Sequence, residues 1–186
     1  MVLNQGEGKE LIKLARQSIN SYFSDSDLKI SEDIKKRFLT KQGVFVTLNL
    51  NKQLRGCIGF PEPTLPLYKA VSEAAQSAAF GDPRFNPLNK DEFKDVKIEM
   101  SVLSVPELID VKDSKEYLDK IKIGEDGLII RSEFGSGLLL PQVFAEYNCD
   151  VIKALEMTCQ KANLSSDAWK DANTKVYKFQ AQIFEE

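Results

Sequence analysis

A glycine-flanked cysteine in a predicted hairpin constrains this chain more than any other feature of its sequence. The apolar, partly β-branched run Gly43–Leu50 is typical of a strand, and Asn51-Lys52 is placed to reverse the chain. Gln53–Phe60 then returns as the second strand and contains Leu54–Gly59, which reads Leu-Arg-Gly-Cys-Ile-Gly. The pattern therefore predicts an antiparallel hairpin whose second strand carries an unusual cluster of residues.

The alternation of side chains along a strand predicts which of these residues lie together. Arg55, Cys57 and Gly59 share one face, and Gly56 lies on the other. The Cα atoms of Arg55 and Cys57 are expected about 6.5–7 Å apart, a range at which a guanidinium favours the thiolate form of a cysteine. Glycines weaken a strand, so their usual purpose is a bulge or the close approach of another backbone or a ligand.

A purely structural interpretation of the same residues stays open. Cysteine is often a small buried hydrophobe. The glycines are also explained if the predicted helix from Thr64 to Phe80, which is rich in alanine, packs closely over the hairpin. The later loop around Asp82 and Arg84 has two interpretations as well: a turn held by an Arg–Asp pair, or a rigid guanidinium that contacts an anion or carboxylate.

The totals limit the classes of function. The chain has 186 residues, and we expect residues 1–186 to form a single domain. The net charge of −3 gives no general attraction to nucleic acid or acidic membranes. No apolar stretch reaches the ~20 residues that cross a bilayer. Three cysteines without a secretion signal favour the cytoplasm.

Histidine is absent, which removes the Cys-His pair that activates most catalytic thiols. The spacing of the three cysteines does not match a zinc site, so we expect no metal and no cofactor. Cys149 and Cys159 are predicted to be inert packing residues.

The remaining pattern predicts an α+β protein: a mostly antiparallel sheet with packed helices, with room for a larger and a smaller lobe. Residues 1–8 are predicted to lie outside the first helix. The predicted helices are Lys9–Phe23, Ser31–Phe38 (a short helix or an irregular link), Thr64–Phe80, Ser114–Lys120, one opening at Pro141, Asp150–Lys161 and a short one around Trp169. The further predicted strands are Val96–Val102, Gly127–Arg131, Gly137–Leu140 and Lys175–Phe184.

Several of these blocks resemble the AMMECR family, named after the Alport syndrome, midface hypoplasia and elliptocytosis chromosomal region. The resemblance extends over nearly the whole chain. It rests on the hairpin signature, on Asp82–Phe85, on Ser101–Leu103 with Pro106-Glu107, and on Gly137–Val143. The chain departs from the family at Glu125-Asp126-Gly127, where a His-Gly pair is common, and at Asn148-Cys149-Asp150, where a Trp-Asp pair is common. The family has no settled activity. The resemblance implies an AMMECR-like fold and a pathway shared with Memo-type or radical S-adenosylmethionine proteins.

Two functions and one neutral alternative follow. In the first, Cys57 is the reactive thiol of an enzyme, and Arg55, Gly56, Gly59, Asp82 and Arg84 form the binding site for a small anionic or amide-bearing substrate. Proton transfer then falls to Asp82, Glu62 or a lysine. In the second, Arg55, Arg84, Phe60 and Phe85 bind a protein segment or single-stranded RNA, which requires a local basic face. The neutral alternative is a scaffold whose motif only maintains the fold.

Overall fold

The computed structural model describes residues 2–24 and 26–186, and these form two compact units. The first unit runs to Leu103 and also includes Gln182–Glu186; the second comprises Ser104–Ala181. Each unit contains one four-stranded sheet. The predicted α+β class with antiparallel sheets is confirmed. The assignment of residues 1–186 to a single domain stays a prediction.

The first unit is built on a sheet with two long helices on one of its faces. Its strands are β1 (Val44–Leu50), β2 (Gln53–Phe60), β3 (Lys97–Leu103) and β8 (Ala181–Glu185), in the order β2-β1-β3-β8. Its helices are α1 (Gln5–Phe23), α2 (Glu32–Arg37), α3 (Leu67–Phe80) and α4 (Lys90–Asp95). The core lies between the helices and the sheet, and Val44, Val46 and Leu48 of β1 are fully buried in it.

Helix α1 starts four residues before the predicted Lys9. Asn4 accepts a hydrogen bond from the amide of Glu7, and the Glu7 carboxylate accepts one from the amide of Asn4. This reciprocal cap satisfies donors that the first turn leaves unpaired. The prediction that residues 1–8 lie outside the helix is therefore wrong for residues 5–8. Met1, the first residue of the segment 1–8, and Asp25, just after the helix, lie outside the described residues.

The β1–β2 hairpin has the predicted strands and turn. Asn51 and Lys52 have φ values of 52° and 63°, the left-handed backbone that a tight hairpin turn needs at both central positions. One feature was not predicted: Leu48 pairs with Gly56 but Asn49 pairs with Leu54. Arg55 is thus the extra residue of a β-bulge, and the simple alternation of faces fails at this residue.

Helix α3 begins at Leu67, three residues later than predicted. Its N-cap is Pro66, and no side chain caps it, so Thr64 lies before the helix and does not cap it. The chain between β2 and α3 is instead held by a bridge between Lys41 and Pro66. The helix ends at Phe80, as predicted, and Gly81 is its C-cap.

The second unit contains the other sheet, in the order β4-β7-β5-β6. The strands are β4 (Glu107–Leu108), β5 (Gly127–Ser132), β6 (Gly135–Leu139) and β7 (Lys175–Phe179), and the helices are α5 (Tyr117–Lys120), α6 (Pro141–Glu146) and α7 (Val151–Lys161). Short 3-10 turns lie at Ser114–Glu116 and Ala168–Lys170. Pro141 opens α6 and Asp150 caps α7, both in agreement with the sequence pattern.

The predicted final strand Lys175–Phe184 is wrong, because it is two strands in different sheets. β7 ends at Phe179 and β8 begins at Ala181, with Gln180 between them. Ser104 binds Gln180 at the point where the chain passes from one sheet to the other. The Ser104 amide donates to the Gln180 carbonyl, and the Ser104 hydroxyl accepts from the Gln180 amide. No helix within residues 2–24 and 26–186 has the length and apolarity needed to cross a membrane.

Candidate functional site

The predicted site residues meet at the free edge of β2. This strand ends the sheet order, so one side of its backbone lacks a neighbouring strand. Asp82, in the loop after α3, fills one position on that edge: its Oδ2 accepts a hydrogen bond from the Cys57 amide at 2.9 Å. Arg84 occupies the next position on this edge, because its Nη2 donates a hydrogen bond to the Cys57 carbonyl at 3.2 Å. The two side chains therefore make the hydrogen bonds to the Cys57 backbone that an adjacent strand would otherwise make.

Asp82 and Arg84 also bind each other directly. The Arg84 Nε and Nη2 donate to the two carboxylate oxygens of Asp82 at 3.0 and 2.7 Å. The Asp82 side chain is only 2% exposed, whereas that of Arg84 is 54% exposed. The hydrogen bond from Arg84 is the main cause that holds the pKa of Asp82 well below its usual range, and the same bond raises the pKa of Arg84. Asp82 is therefore a fixed anion at neutral pH and a poor proton acceptor.

The thiol of Cys57 differs from the other two cysteines. Cys57 is partly exposed, and its Sγ accepts a hydrogen bond from the Thr47 hydroxyl at 3.3 Å. Cys149 and Cys159 are buried, and burial raises the pKa of Cys159. Cys149 lies with its sulfur 3.4 Å from that of Met157. Both surroundings fit the predicted packing roles of these two cysteines.

Arg55 contacts a carboxylate on α4. Its Nε and Nη2 donate to the two oxygens of Glu92 at 3.1 and 3.0 Å, and its guanidinium carbon lies 5.8 Å from the centre of the Phe85 ring. The hydrogen bond from Arg55 lowers the pKa of Glu92. The bulge at Arg55 removes the alternation on which the expected Arg55–Cys57 pairing was based. Arg84, through the Cys57 carbonyl, is the guanidinium that contacts Cys57.

Gly56 and Gly59 are both positions of close approach. A Cβ on Gly56 would lie 2.1 Å from the carbonyl oxygen of Ala78 in α3. A Cβ on Gly59 would lie 2.3 Å from the carbonyl oxygen of Val44, next to the Phe45 ring. The alanine-rich face of α3 therefore packs directly against the glycine of the motif, as the structural interpretation expected.

Comparison with known proteins places these residues in a family. The family model described as AMMECR1 matches residues 12–184. The chain belongs to the AMMECR1 family. A protein of Methanothermobacter thermautotrophicus is 46% identical over 99% of this chain and 96% of its own length, and protein MJ0810 of Methanocaldococcus jannaschii is 48% identical over 100% and 92%. The crystal structure of uncharacterized protein PH0010 from Pyrococcus horikoshii superposes with a TM-score of 0.92 at 44% identity, over 99% of this chain and 93% of that one.

Not all of the residues predicted for the candidate site come together. Phe85 lies beside Arg55 and Arg84, whose guanidinium carbons are 5.8 and 5.5 Å from the centre of its ring. Phe60 instead packs against the hydrophobic core of the first unit. Three of the four residues predicted to form a stacking surface therefore meet.

Sequence reasoning missed two residues of this candidate site. Thr47 could not have been found, because the register of the Asn51-Lys52 turn alone places Val46 opposite Cys57, and only the bulge at Arg55 brings Thr47 to that position. Glu92 carries a local signal, since Asn89 and Glu92 form a capping box at the start of α4. Nothing in the sequence links Glu92 to Arg55. Within residues 2–24 and 26–186, no group of three or more Cys, Asp or Glu side chains is arranged to hold a metal ion.

Proposed function

We propose that this AMMECR1-family protein is an enzyme that modifies small molecules or proteins, with Cys57 as its reactive thiol. The observation that carries the proposal is the double attachment of the Cys57 backbone, whose amide is bonded to Asp82 and whose carbonyl is bonded to Arg84. A strand edge held at both groups fixes the Cα–Cβ direction from which the thiol projects. Fixed geometry is what a nucleophile needs to meet a bound substrate in a productive orientation.

Arg84 supplies the contact for the substrate in this proposal. Asp82 occupies one edge of its guanidinium, and just over half of the side chain remains accessible. An accessible guanidinium that a buried carboxylate holds in place suits an anionic or amide-bearing substrate. Arg55 is bound by Glu92. At Gly56 and Gly59, neighbouring backbone atoms occupy the space that a side chain would take. These three residues therefore support the shape of the site.

Alkylation of the native protein tests the reactive thiol. We expect iodoacetamide to modify Cys57 below pH 7 at least about tenfold faster than Cys149 and Cys159, because a reactive thiol is accessible and readily forms the thiolate. Peptide mass spectrometry would give the rate at each cysteine, and the Cys57→Ser variant would show the background from the buried pair. Modification of Cys57 only after denaturation would rule out the enzyme proposal.

The partners and location are also part of the proposal. By resemblance, Memo-type or radical S-adenosylmethionine proteins are the pathway partners to test first. All three cysteines are free thiols, which supports the reducing cytoplasm as the place of action.

A second candidate is a binding module without catalysis, for a protein segment or for single-stranded RNA. It is favoured by the half-exposed Arg84 beside the Phe85 ring, which together offer charge and a stacking surface. The net charge of −3 counts against the RNA form of this candidate.

A salt titration of binding to a labelled oligouridine tests the RNA form. We expect Arg84→Ala to weaken binding and to reduce the slope of log affinity against log salt by about 0.7, the value for one phosphate contact with a single strand. Arg55→Ala should have a smaller effect, because Glu92 already binds that guanidinium. Lys94→Ala on the exposed side of α4 is the matched control. If the wild-type protein does not bind, or if Arg84→Ala binds equally well, this candidate is eliminated.

A further inference from the structure

The hairpin places a second polar side chain directly against the Cys57 sulfur. Thr47 of β1 is the cross-strand partner of Cys57 in the register of the hairpin. Its neighbours Val46 and Leu48 are fully buried against the helices, so Thr47 points to the opposite face of the sheet. Directly opposite residues on one face are close enough for their side chains to interact. Cys57 and Thr47 therefore share a face and a row.

The contact between these side chains has a defined direction. The Thr47 Oγ1 lies 3.3 Å from the Cys57 Sγ and donates its hydrogen to it. A thiolate has no hydrogen and is an acceptor only, so the hydroxyl must donate to it. A hydrogen bond to the charged form of a group stabilises that form.

From this geometry we infer that Thr47 is a positioning residue of the Cys57 site, holding the sulfur in one orientation and favouring its thiolate form. The inference rests on the proposed function, because it assigns a role to Thr47 only if Cys57 reacts. Thr47 also gives the Cys57 sulfur a hydrogen-bond donor that is neither a histidine nor a charged side chain. Histidine is absent, Asp82 is committed to Arg84, and Arg55 is bound by Glu92.

Replacing Thr47 by another uncharged residue leaves all the charged side chains around the Thr47–Cys57 pair in the protein. They are Arg55 on β2, Lys97 and Glu99 on β3, and Asp82 and Arg84 on the loop after α3. A substitution of Thr47 by valine or serine therefore changes the hydroxyl or the methyl group alone. This makes Thr47 a clean position for a test.

The test compares iodoacetamide modification of Cys57 in Thr47→Val and Thr47→Ser with the wild type, at pH 7 and at about pH 10. Valine has the shape of threonine without the donor, so we expect its rate at pH 7 to fall about tenfold, the effect of one hydrogen bond to a charged group. Serine keeps the hydroxyl and should stay within about threefold of the wild type. At about pH 10, above the usual pKa of a cysteine, the valine variant should recover to within about twofold.

Each outcome separates this inference from the proposed function. An unchanged rate in Thr47→Val at pH 7, with a reactive Cys57 in the wild type, overturns the role of Thr47 and leaves the enzyme proposal standing. A loss that persists at about pH 10, or that serine does not restore, also overturns it, because such a loss reflects packing of the strand. A wild-type Cys57 that does not react in the native protein removes the proposed function itself.

Discussion

Replacing Gly56 by valine is expected to lower the free energy of unfolding by more than about 3 kcal/mol. The new side chain would have to occupy the place where the Ala78 carbonyl oxygen lies, 2.1 Å from the position of the Cβ. That oxygen belongs to the backbone of α3, so relief requires the helix and the hairpin to separate. Urea denaturation followed by circular dichroism measures the loss.

The matched control for this substitution is Gln53→Val on the same strand. Gln53 is exposed at the start of β2, so valine there should change the free energy of unfolding by no more than about 0.5 kcal/mol. If Gly56→Val is as stable as the control, then α3 does not pack on the hairpin in the way described. The substitution tests the fold and does not discriminate between enzyme and binding module, because each of them needs the hairpin.

Replacing Asp82 by asparagine is expected to cost about 2–4 kcal/mol of folding free energy at pH 7. The carboxylate is buried and accepts hydrogen bonds from the Cys57 amide and from the amide and guanidinium of Arg84. Asparagine keeps the shape but removes the charge and replaces one acceptor oxygen with a donor. Asp91→Asn is the control, because Asp91 makes an exposed pair with Lys94 whose loss should change the stability very little.

The same carboxylate predicts how stability depends on pH. The folded state lowers the pKa of Asp82 from the ordinary value of 3.8, chiefly through the hydrogen bond from Arg84. The unfolded chain therefore binds a proton at a higher pH than the folded protein does. The contribution of Asp82 is fully present above about pH 4 and is lost as the pH falls below that value.

Urea titrations between pH 6 and pH 3 should show the wild type losing more stability than Asp82→Asn, which has no carboxyl group at this position. Parallel losses in the two proteins would contradict the role assigned to the Asp82–Arg84 pair. The comparison is internal, so other carboxylates that titrate in this range affect both proteins equally.

The parts of the fold that sequence reasoning predicted correctly are those with local causes. The Asn51-Lys52 turn sets the β1–β2 hairpin because both residues adopt the left-handed backbone. Pro141 opens α6, and the predicted helix Asp150–Lys161 is α7, which begins at Val151 with Asp150 as its N-cap. The cap of α1 by Asn4 and Glu7 is equally local, and the Asn-x-x-Glu pattern before the helix indicates it.

The parts that failed depend on distant residues. Alternation continues through Gln180, so nothing near this residue shows that the chain leaves one sheet for the other there. The bulge at Arg55 changes which side chains meet, and it is visible only in the pairing with β1.

The candidate site shows the same division. An Arg84–Asp82 pair was one of two local interpretations, but its attachment to the Cys57 backbone joins residues 25 and 27 positions apart. Neither partner carries a sequence signal for that attachment.

The strand order of the first unit has a consequence for how the chain is made. β8 hydrogen-bonds beside β3, yet it is translated after the whole of the second unit. While the ribosome is still adding residues 104–180, the nascent sheet has three strands and β3 presents an unpaired margin. In the same way, Arg16 cannot bind Glu186, and the Leu3 amide cannot donate to the Gln182 side chain, until those last residues have been added. The first unit is therefore synthesised first but its sheet is completed last. Until β8 is in place, the open edge of β3 can pair with a strand of another unfinished chain.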